Sequence, residues 1–457
     1  MKRLIFCLII IFGILLPVNA VFAADTVVVV IDPGHGGLGE GDAVTGALYN
    51  DGLCEKDVDL VTALAMKREL MKYNNVEVYL TREDDRQLSL DERVDFAYSV
   101  GADVMISCHY NASEHHIFYG SEIFTSAFGN CYATGNGLGR CIMDRWVGNG
   151  LDMKGIKVRI GNSGSDYYGV IRHGREVGLP VIIIEHGYLD NHIDYERLGT
   201  YEDWERMGRL DAEGIADYYG LSRDRVYDDV FPTVNVEIPQ ESIKPDVTEP
   251  EDVTLTITDL NLDTSEVTYE IKASEPDGRL MYYGLALGEP VDTVPGDYAD
   301  LMLWEEGKDS MTGTFGVPTG YTGKITARVY NIYELYTDSM SEDVDMQALI
   351  DERDALLEEE AKRAEEEAKK EQERARQRAE QKKIEEERAA EKEKVGDYSF
   401  LLGGREGKGG KNNKGMSGER ILVIAVIVII IFVAVTCVLI YVFRKTIIKY
   451  IKDREGM

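Results

Sequence analysis

Four side chains able to bind a metal or transfer a proton stand near the ends of predicted strands in the first half of the chain. His35 follows the β-branched run 26–31, His109 closes the run 103–108, and Glu185 closes the apolar run 181–184. Glu55 opens the helix that follows the first of these strands. Parallel strands of an α/β sheet bring their carboxyl ends to one edge, where ligands bind. The sequence therefore predicts that these side chains meet in one site.

Two imidazoles and one carboxylate are the protein donors of a catalytic zinc site, in which the fourth position is left to water. Zinc held in this way lowers the pKa of its water to about 7, and a neighbouring carboxylate must take the proton and return it to the leaving amine. Glu185 is the candidate for that carboxylate. An isolated glutamate after three isoleucines is otherwise costly to place at the end of a buried strand.

Each of these signals is weak when it is taken alone, since a single histidine after a strand is more often structural than metal-bound. His186 and Cys108 stand next to two of the candidates, but neighbouring residues on an extended backbone point to opposite faces. Neither is therefore predicted to be a ligand. The remaining histidines are predicted to be loop or surface residues without a role, namely His115, His116, His173 and His192.

The elements that must position these residues alternate between strand and helix over residues 25–222. Strands are predicted at 26–31, 76–81, 103–108 and 181–184, with another from Gly120, and helices over 55–73 and after Ser89, which forms a capping box with Glu92. This alternation predicts an α/β domain with a mostly parallel sheet and helices on both faces.

Only residues 110–119 separate His109 from the next strand, too few for a helix laid across the site. We therefore expect substrate to reach the site freely.

Short motifs follow one another in a specific order along this domain. They are Asp32-Pro33-Gly34-His35-Gly36-Gly37, Glu55-Lys56-Asp57-Val58, Leu80-Thr81-Arg82, Ser89-Leu90 with Arg93, Ser107 with His109 and Asn111, and Glu185 with Gly187-Tyr188-Leu189 and Asn191. As an ordered set they resemble the type-3 N-acetylmuramoyl-L-alanine amidases, zinc enzymes that act on peptidoglycan. The resemblance implies that His35, Glu55 and His109 bind Zn²⁺ and that Glu185 is the catalytic carboxylate. It also implies cleavage of the amide between the lactyl group of N-acetylmuramic acid and L-alanine.

The sequence departs from the family pattern at three positions beside the proposed site. Cys54 and Cys108 replace other small or apolar residues, and His186 replaces a more usual apolar residue. These differences concern substrate detail and leave the reaction class unchanged. A zinc-containing receptor that binds the cell wall without cutting it is the alternative function, and an adhesin or scaffold is a third. Glu185 argues against the receptor, because a pure binder needs no general base.

The chain changes character after the α/β domain. Residues 228–346 contain short β-rich runs separated by Asp, Gly and Pro turns, which predicts an immunoglobulin-like β-sandwich. Residues 228–345 carry 26 acidic and 6 basic side chains, so this region accounts for more than half of the net charge of −32. Such a surface repels nucleic acid, and we exclude nucleic-acid binding. A spacer is the simplest role for this domain.

The two ends of the chain predict export and membrane attachment. Residues 1–24 read as a signal peptide, with Lys2 and Arg3 before an apolar run. Residues 351–394 predict a charged single helix or weak coiled coil, 395–420 a Gly-rich linker, 421–443 a transmembrane helix and 444–457 a cytoplasmic tail. Equal numbers of positive charges flank the two sides of the apolar span, so they do not predict which side faces the cytoplasm. The signal peptide predicts the orientation instead, because it implies export of the residues before the span. We expect a single-pass protein of the cell membrane with its catalytic domain outside.

Four cysteines fall in the part of the chain that is predicted to be extracellular. Cys54, Cys108, Cys131 and Cys141 have no zinc-finger spacing, and disulfides are possible outside the cell. Cys131 with Cys141 is the most favoured pair, and buried free thiols are the alternative.

Overall fold

The computed structural model describes residues 26–39, 41–49, 52–223, 234–289 and 300–397. The predicted signal peptide, the transmembrane helix 421–443, the tail 444–457 and the linker beyond residue 397 lie outside these ranges. Within them, no helix combines the length and the apolar character needed to cross a membrane. The terminal elements therefore stay predictions.

A six-stranded sheet forms the middle layer of the first domain. Its strands are β1 (Val27–Pro33), β2 (Val76–Leu80), β3 (Val104–Asn111), β4 (Ser121–Thr125), β5 (Met153–Lys157) and β6 (Val181–Tyr188), in the order β2-β1-β3-β6-β4-β5. Four of the five strand pairs are parallel, and β4 runs antiparallel to β6. The predicted α/β architecture is confirmed, with a sheet that is mixed at one end.

Helices cover both faces of this sheet. They are α1 (Asp42–Thr45), α2 (Glu55–Leu70), α3 (Leu90–Ser99), α4 (Gly129–Val147), α5 (Gly169–Glu176), α6 (His192–Leu198) and α7 (Tyr201–Tyr219). Apolar residues of α2, α4 and α7 share one core with the sheet, and those of α3 and α5 share a second core with its other face. The predicted capping box of Ser89 and Glu92 starts α3, and α2 begins at Glu55 itself.

Of the two alternatives for the cysteines, the structure shows free thiols and not a Cys131–Cys141 disulfide. Both cysteines lie in α4, ten positions apart, and a rise of 1.5 Å per residue separates them by about 15 Å along the axis. A disulfide requires Cα atoms within about 7 Å. All four cysteines of the described residues are free thiols, and three of them are buried.

Two antiparallel sheets follow, built from strands between residues 251 and 345. The strands are β7 (Glu251–Asn261), β8 (Glu266–Ser274), β9 (Leu280–Leu287), β10 (Met302–Leu303), β11 (Ser310–Gly316), β12 (Thr322–Gly323), β13 (Ile325–Asn331), β14 (Tyr336–Met340) and β15 (Val344–Asp345). Sheet β10-β9-β13-β14 and sheet β11-β8-β7 bury their apolar side chains in one common core, with β12 and β15 paired beside them. The sheets form a β-sandwich, and its immunoglobulin-like type stays a prediction.

The two domains contact each other directly. The β3–β4 loop of the α/β domain packs Phe118 and Tyr119 against Tyr282 of β9 and Tyr330 of β13. Tyr282 donates a hydrogen bond to the carbonyl of Tyr119, and the Tyr119 hydroxyl donates one to the carbonyl of Leu301 at 3.0 Å. The loop contains no helix, as its length predicted.

A long charged helix, α8 (Met346–Asp397), follows the sandwich. Its side chains from 351 to 392 are exposed, and pairs such as Lys369 with Glu365 at 2.6 Å bridge successive turns. It contains the charged helix predicted over 351–394. Its association into a coiled coil stays a prediction.

Candidate metal centre and active site

The two histidines and the glutamate predicted to bind metal lie together at the carboxyl edge of the sheet. His109 Nδ1 is 2.9 Å from Glu55 Oε1, and His35 Nε2 is 3.3 Å from the same oxygen. The imidazole rings meet edge to face with centroids 5.0 Å apart. Together with Asp59, these residues form a group whose donor atoms all lie within 4.8 Å of one another.

The surroundings of Glu55 and His109 favour the protonation states that bind a cation. Burial opposes ionisation of Glu55, yet its hydrogen bonds with His109 and His35 lower its pKa below the ordinary value. Its second oxygen accepts a hydrogen bond from the Ala47 backbone N–H at 2.8 Å. Burial also lowers the pKa of His109, against the effect of Glu55. A neutral imidazole and an ionised carboxylate are the forms that ligate zinc.

Asp59 is a member of this group that the sequence analysis missed. It lies one helical turn after Glu55 on α2 and is fully buried. Within the described residues, neither of its carboxylate oxygens has a hydrogen-bond partner. An unpaired buried carboxylate is costly unless it is protonated or faces a cation, so the group fits a bound metal ion. The signal in the sequence was the i, i+4 spacing of Glu55 and Asp59.

Two arginines hold the loop that carries His35. Arg82 donates hydrogen bonds to the carbonyls of Pro33 at 3.0 Å and Gly34 at 2.6 Å, and Arg93 donates to those of Pro33 at 2.7 Å and His35 at 2.6 Å. Both guanidinium groups are buried. They hold His35 at φ 54°, a conformation that a non-glycine residue adopts only when its surroundings enforce it.

A buried aspartate at the end of β1 connects the elements that surround the His35 loop. Asp32 accepts hydrogen bonds from Thr81 at 2.5 Å, from Arg93 at 2.8 Å and from Ser107 at 2.9 Å. It thereby joins the end of β1 to the residue after β2, the middle of β3 and the start of α3. Sequence analysis recognised Thr81, Arg93 and Ser107 as parts of motifs, but their shared role in orienting His35 is visible only in the fold.

Two glycines leave the space that the metal group needs. A Cβ at Gly34 would lie 2.3 Å from His109 Cε1. A Cβ at Gly46 would lie 2.4 Å from Glu55 Oε2, and Gly46 also has φ 66°. Any side chain at these positions would displace a candidate ligand.

Glu185 lies beside the metal group, as its strand position predicted. On β6 it is in register with His109 of β3 on one side and with Glu122 of β4 on the other. Its Oε2 atom is buried and has no hydrogen-bond partner among the described residues. Burial, with the negative charges of Glu55 and Glu122, raises the pKa of Glu185 well above its ordinary value. A raised pKa of this kind is typical of a carboxyl group that takes up and returns a proton in catalysis.

A cleft of about 690 Å³ opens beside Glu185. Its α/β lining includes Asn111, Glu122, Lys157, Tyr168 and Tyr188, and the β-sandwich contributes Tyr333, Glu334 and Leu335. A second cavity of about 420 Å³ is lined by His35 and His109, and Tyr168 borders both spaces. The metal group and Glu185 are therefore reached from two adjoining cavities.

The histidines without a predicted role lie outside the metal group. His186 points to the opposite face of β6, where its Nε2 is 2.9 Å from Asp211 Oδ2 and its ring stacks on Tyr110. Cys108 is buried in the same core. The other four histidines are also absent from the group, although His115 lines the cleft beside Glu185.

The first domain is similar in sequence to known proteins. Residues 29–217 match the family model described as N-acetylmuramoyl-L-alanine amidase. The chain is 33% identical over 200 residues to the N-acetylmuramoyl-L-alanine amidase CwlM of Bacillus licheniformis, a match that covers 42% of this chain and 69% of that relative. It is 30% identical over 192 residues to the amidase LytC of Bacillus subtilis (strain 168), covering 41% of this chain and 35% of LytC.

A solved structure is similar over the same part of the chain. The catalytic domain of CwlV, an N-acetylmuramoyl-L-alanine amidase from Bacillus (Paenibacillus) polymyxa var. colistinus, is 31% identical. The match covers 43% of this chain and 99% of that structure, with a TM-score of 0.37.

Proposed function

Because the chain belongs to the family of N-acetylmuramoyl-L-alanine amidases, we propose that it hydrolyses the amide between N-acetylmuramic acid and L-alanine in peptidoglycan and depends on zinc to do so. The observation that carries this proposal is the meeting of His35, Glu55 and His109 next to Glu185. Two imidazoles and a carboxylate are the donors of a hydrolytic zinc site.

In the proposed reaction His35, Glu55 and His109 would hold the zinc ion, and the buried carboxyl group of Asp59 lies within the same group. Bound zinc supplies a Lewis acid for the amide carbonyl and increases the acidity of water. Arg82 and Arg93 keep His35 in place through the carbonyls that they bind. Gly34 and Gly46 keep the space around the imidazoles and Glu55 clear.

Glu185 carries the proton in this mechanism. Its carboxylate accepts a proton from the attacking water while the new C–O bond forms at the lactyl carbonyl. The same group then donates that proton to the alanine nitrogen as the C–N bond breaks, which leaves a carboxyl group on the lactyl side and a free amine on the peptide. Its burial near the negative charges of Glu55 and Glu122 supports this role, since both effects raise the pKa of Glu185 and make its carboxylate a stronger base.

The zinc requirement is tested with the full chain on purified peptidoglycan. Removal of metal by a chelator should abolish the release of soluble peptides, and one equivalent of Zn²⁺ should restore it. The released peptides should carry a free amino group on L-alanine, detected by N-terminal labelling. Full activity in chelator, with metal analysis showing no bound ion, would contradict the zinc dependence.

The proposed place of action is the outer face of the cell membrane. The apolar run 421–443 and the signal-like residues 1–24 support this proposal from the sequence. Protease added to intact cells should release the catalytic domain, while a tag placed after residue 457 should stay protected. A tag that is digested from outside would contradict the proposed orientation.

A further inference from the structure

We propose that the β-sandwich forms one wall of the substrate cleft, and that the turn of residues 333–335 contacts the part of the muropeptide that extends beyond the scissile amide. This inference rests on the proposed function for the identity of the substrate. It assigns to the second domain a role in binding substrate, whereas the sequence predicted a spacer.

The position of the turn is the first observation. The turn connects β13 and β14, and Tyr333, Glu334 and Leu335 line the same cleft as Glu185. Glu185 is in register with His109, so the cleft begins at the reacting centre. A substrate held in the cleft must pass between residues of both domains.

The turn is fixed to the α/β domain by specific hydrogen bonds. The Tyr333 hydroxyl donates to the carbonyl of Val158 at 3.1 Å and accepts from the Val158 backbone N–H at 3.3 Å. The Tyr188 hydroxyl donates to Glu334 Oε1 at 2.7 Å. Glu334 itself has φ 65°, a left-handed conformation that is costly for a glutamate and is maintained here by its contacts.

Buried ion pairs also lie at the contact between the turn and the α/β domain. Lys154 of β5 is fully buried and pairs with Glu334, while its Nζ lies 3.8 Å from Glu122 Oε2 and 4.6 Å from the centre of the Tyr188 ring. Lys157 is also buried and pairs with Glu122. A buried ammonium group requires a partner, so the sandwich supplies a charge that the α/β domain needs beside its own cleft.

The same network reaches the proposed proton carrier. Glu122 lies opposite Glu185 in the β4–β6 pair, and its charge raises the pKa of Glu185 while that of Lys154 lowers it. Glu334 is therefore a positioning residue: it fixes Lys154 and, through it, the charges around Glu185. Leu335 lines the cleft and carries no charge, and its backbone is hydrogen-bonded to Asn331.

The variant that tests the inference most directly enlarges one side chain in the β-sandwich wall of the cleft and leaves the charged residues unchanged. Leu335→Trp should narrow the cleft, and Leu287→Trp is the matched control, because Leu287 is an exposed leucine of β9 outside the cleft. Both are made in the full chain carrying Glu185→Gln, so that substrate stays intact while binding of fluorescent, soluble muropeptides is titrated. Thermal unfolding and zinc content are recorded for every variant.

We expect Leu335→Trp to weaken muropeptide binding about tenfold, which corresponds to about 1.4 kcal/mol, with unchanged zinc content and unfolding temperature. Leu287→Trp should bind like its parent. Equal affinities of Leu335→Trp and Leu287→Trp for the muropeptide would overturn the inference. So would the absence of muropeptide binding by both variants and by their parent.

A second comparison covers the case in which Leu335→Trp unfolds. Glu334→Gln in the otherwise unaltered chain should raise KM for polymeric peptidoglycan by a larger factor than it lowers kcat, while Glu305→Gln, in an exposed surface ion pair, should change neither. An unchanged KM in Glu334→Gln would overturn the inference. If the unaltered chain releases no peptide but the binding difference at Leu335 persists, the proposed reaction fails and the composite cleft stands.

Discussion

Replacement of Glu185 by glutamine should separate the chemistry of the site from its stability. The amide keeps the shape of the side chain but cannot accept a proton. Loss of a general base of this kind lowers turnover about 10²–10⁴-fold, which at about 1.36 kcal/mol per decade is roughly 3–5 kcal/mol of barrier. Zinc should stay bound, since Glu185 is not a member of the metal group.

The same variant should fold at least as stably as the unaltered chain. Glu185 lies near the negative charges of Glu55 and Glu122, and its raised pKa means that its ionised form is disfavoured in the folded state. The folded chain therefore holds the Glu185 proton more tightly than the unfolded chain does, and the free energy of unfolding falls as the pH rises through the folded-state pKa. Glutamine carries no titratable proton, so the variant does not lose this stability. A gain of about 1 kcal/mol would raise the unfolding temperature by about 2–4 °C at neutral pH. At a pH where the carboxyl group is protonated in both states, this advantage should disappear.

The assay measures peptide release from purified peptidoglycan together with calorimetry of the metal-free chain at two pH values. Glu69→Gln is the matched control, because Glu69 is a buried glutamate at the far end of α2 from Glu55, about 21 Å away at 1.5 Å per residue. It should retain activity. Turnover of Glu185→Gln within a few-fold of the unaltered chain would remove Glu185 from the mechanism, and a marked loss of stability would show that its charge is structurally required.

Three further predictions concern the metal group and the thiols. His109→Ala should lose zinc and activity together, because the remaining donors hold the ion poorly, and near-stoichiometric zinc in this variant would exclude His109 as a ligand. Gly46→Ala should weaken zinc affinity about 10–100-fold by displacing Glu55, whereas Gly52→Ala, with a similar positive φ but no neighbour within 4 Å, should leave affinity unchanged; equal affinities would refute the steric argument. The two thiols of α4 should both react with iodoacetamide after unfolding without reductant, and a mass shift indicating a disulfide would contradict the helix geometry.

The positions of the candidate site residues were predictable because they depend on a simple rule of parallel sheets. His35, His109 and Glu185 each stand at the carboxyl end of an apolar strand, and the fold brings those ends to one edge. Glu55 was predictable as the first residue of a helix that leaves the same edge. The strand and helix patterns of the sequence, with the rule that parallel strands end at one edge of a sheet, were sufficient to predict the positions of these residues.

Other features depend on contacts that no local pattern reveals. Strand β5 was not predicted because it carries Lys154 and Lys157, whose burial is possible only through partners on β4 and on the second domain. The docking of the sandwich through Tyr119 and Tyr282 joins residues far apart in the chain. The choice between a Cys131–Cys141 disulfide and free thiols stayed open in the sequence, because it depends on both residues lying in one helix.

The central claim is that this chain cuts one particular amide bond, and isotopic labelling of the products tests it most directly. A defined muropeptide is digested with the full chain in H₂¹⁸O, and the products are identified by mass. Cleavage of the N-acetylmuramoyl-L-alanine amide predicts one ¹⁸O atom in the lactyl carboxylate and an unlabelled peptide with a free N-terminal alanine. Label in a peptide carboxylate or at the anomeric carbon of a sugar, or an intact muropeptide that stays bound, would contradict the account.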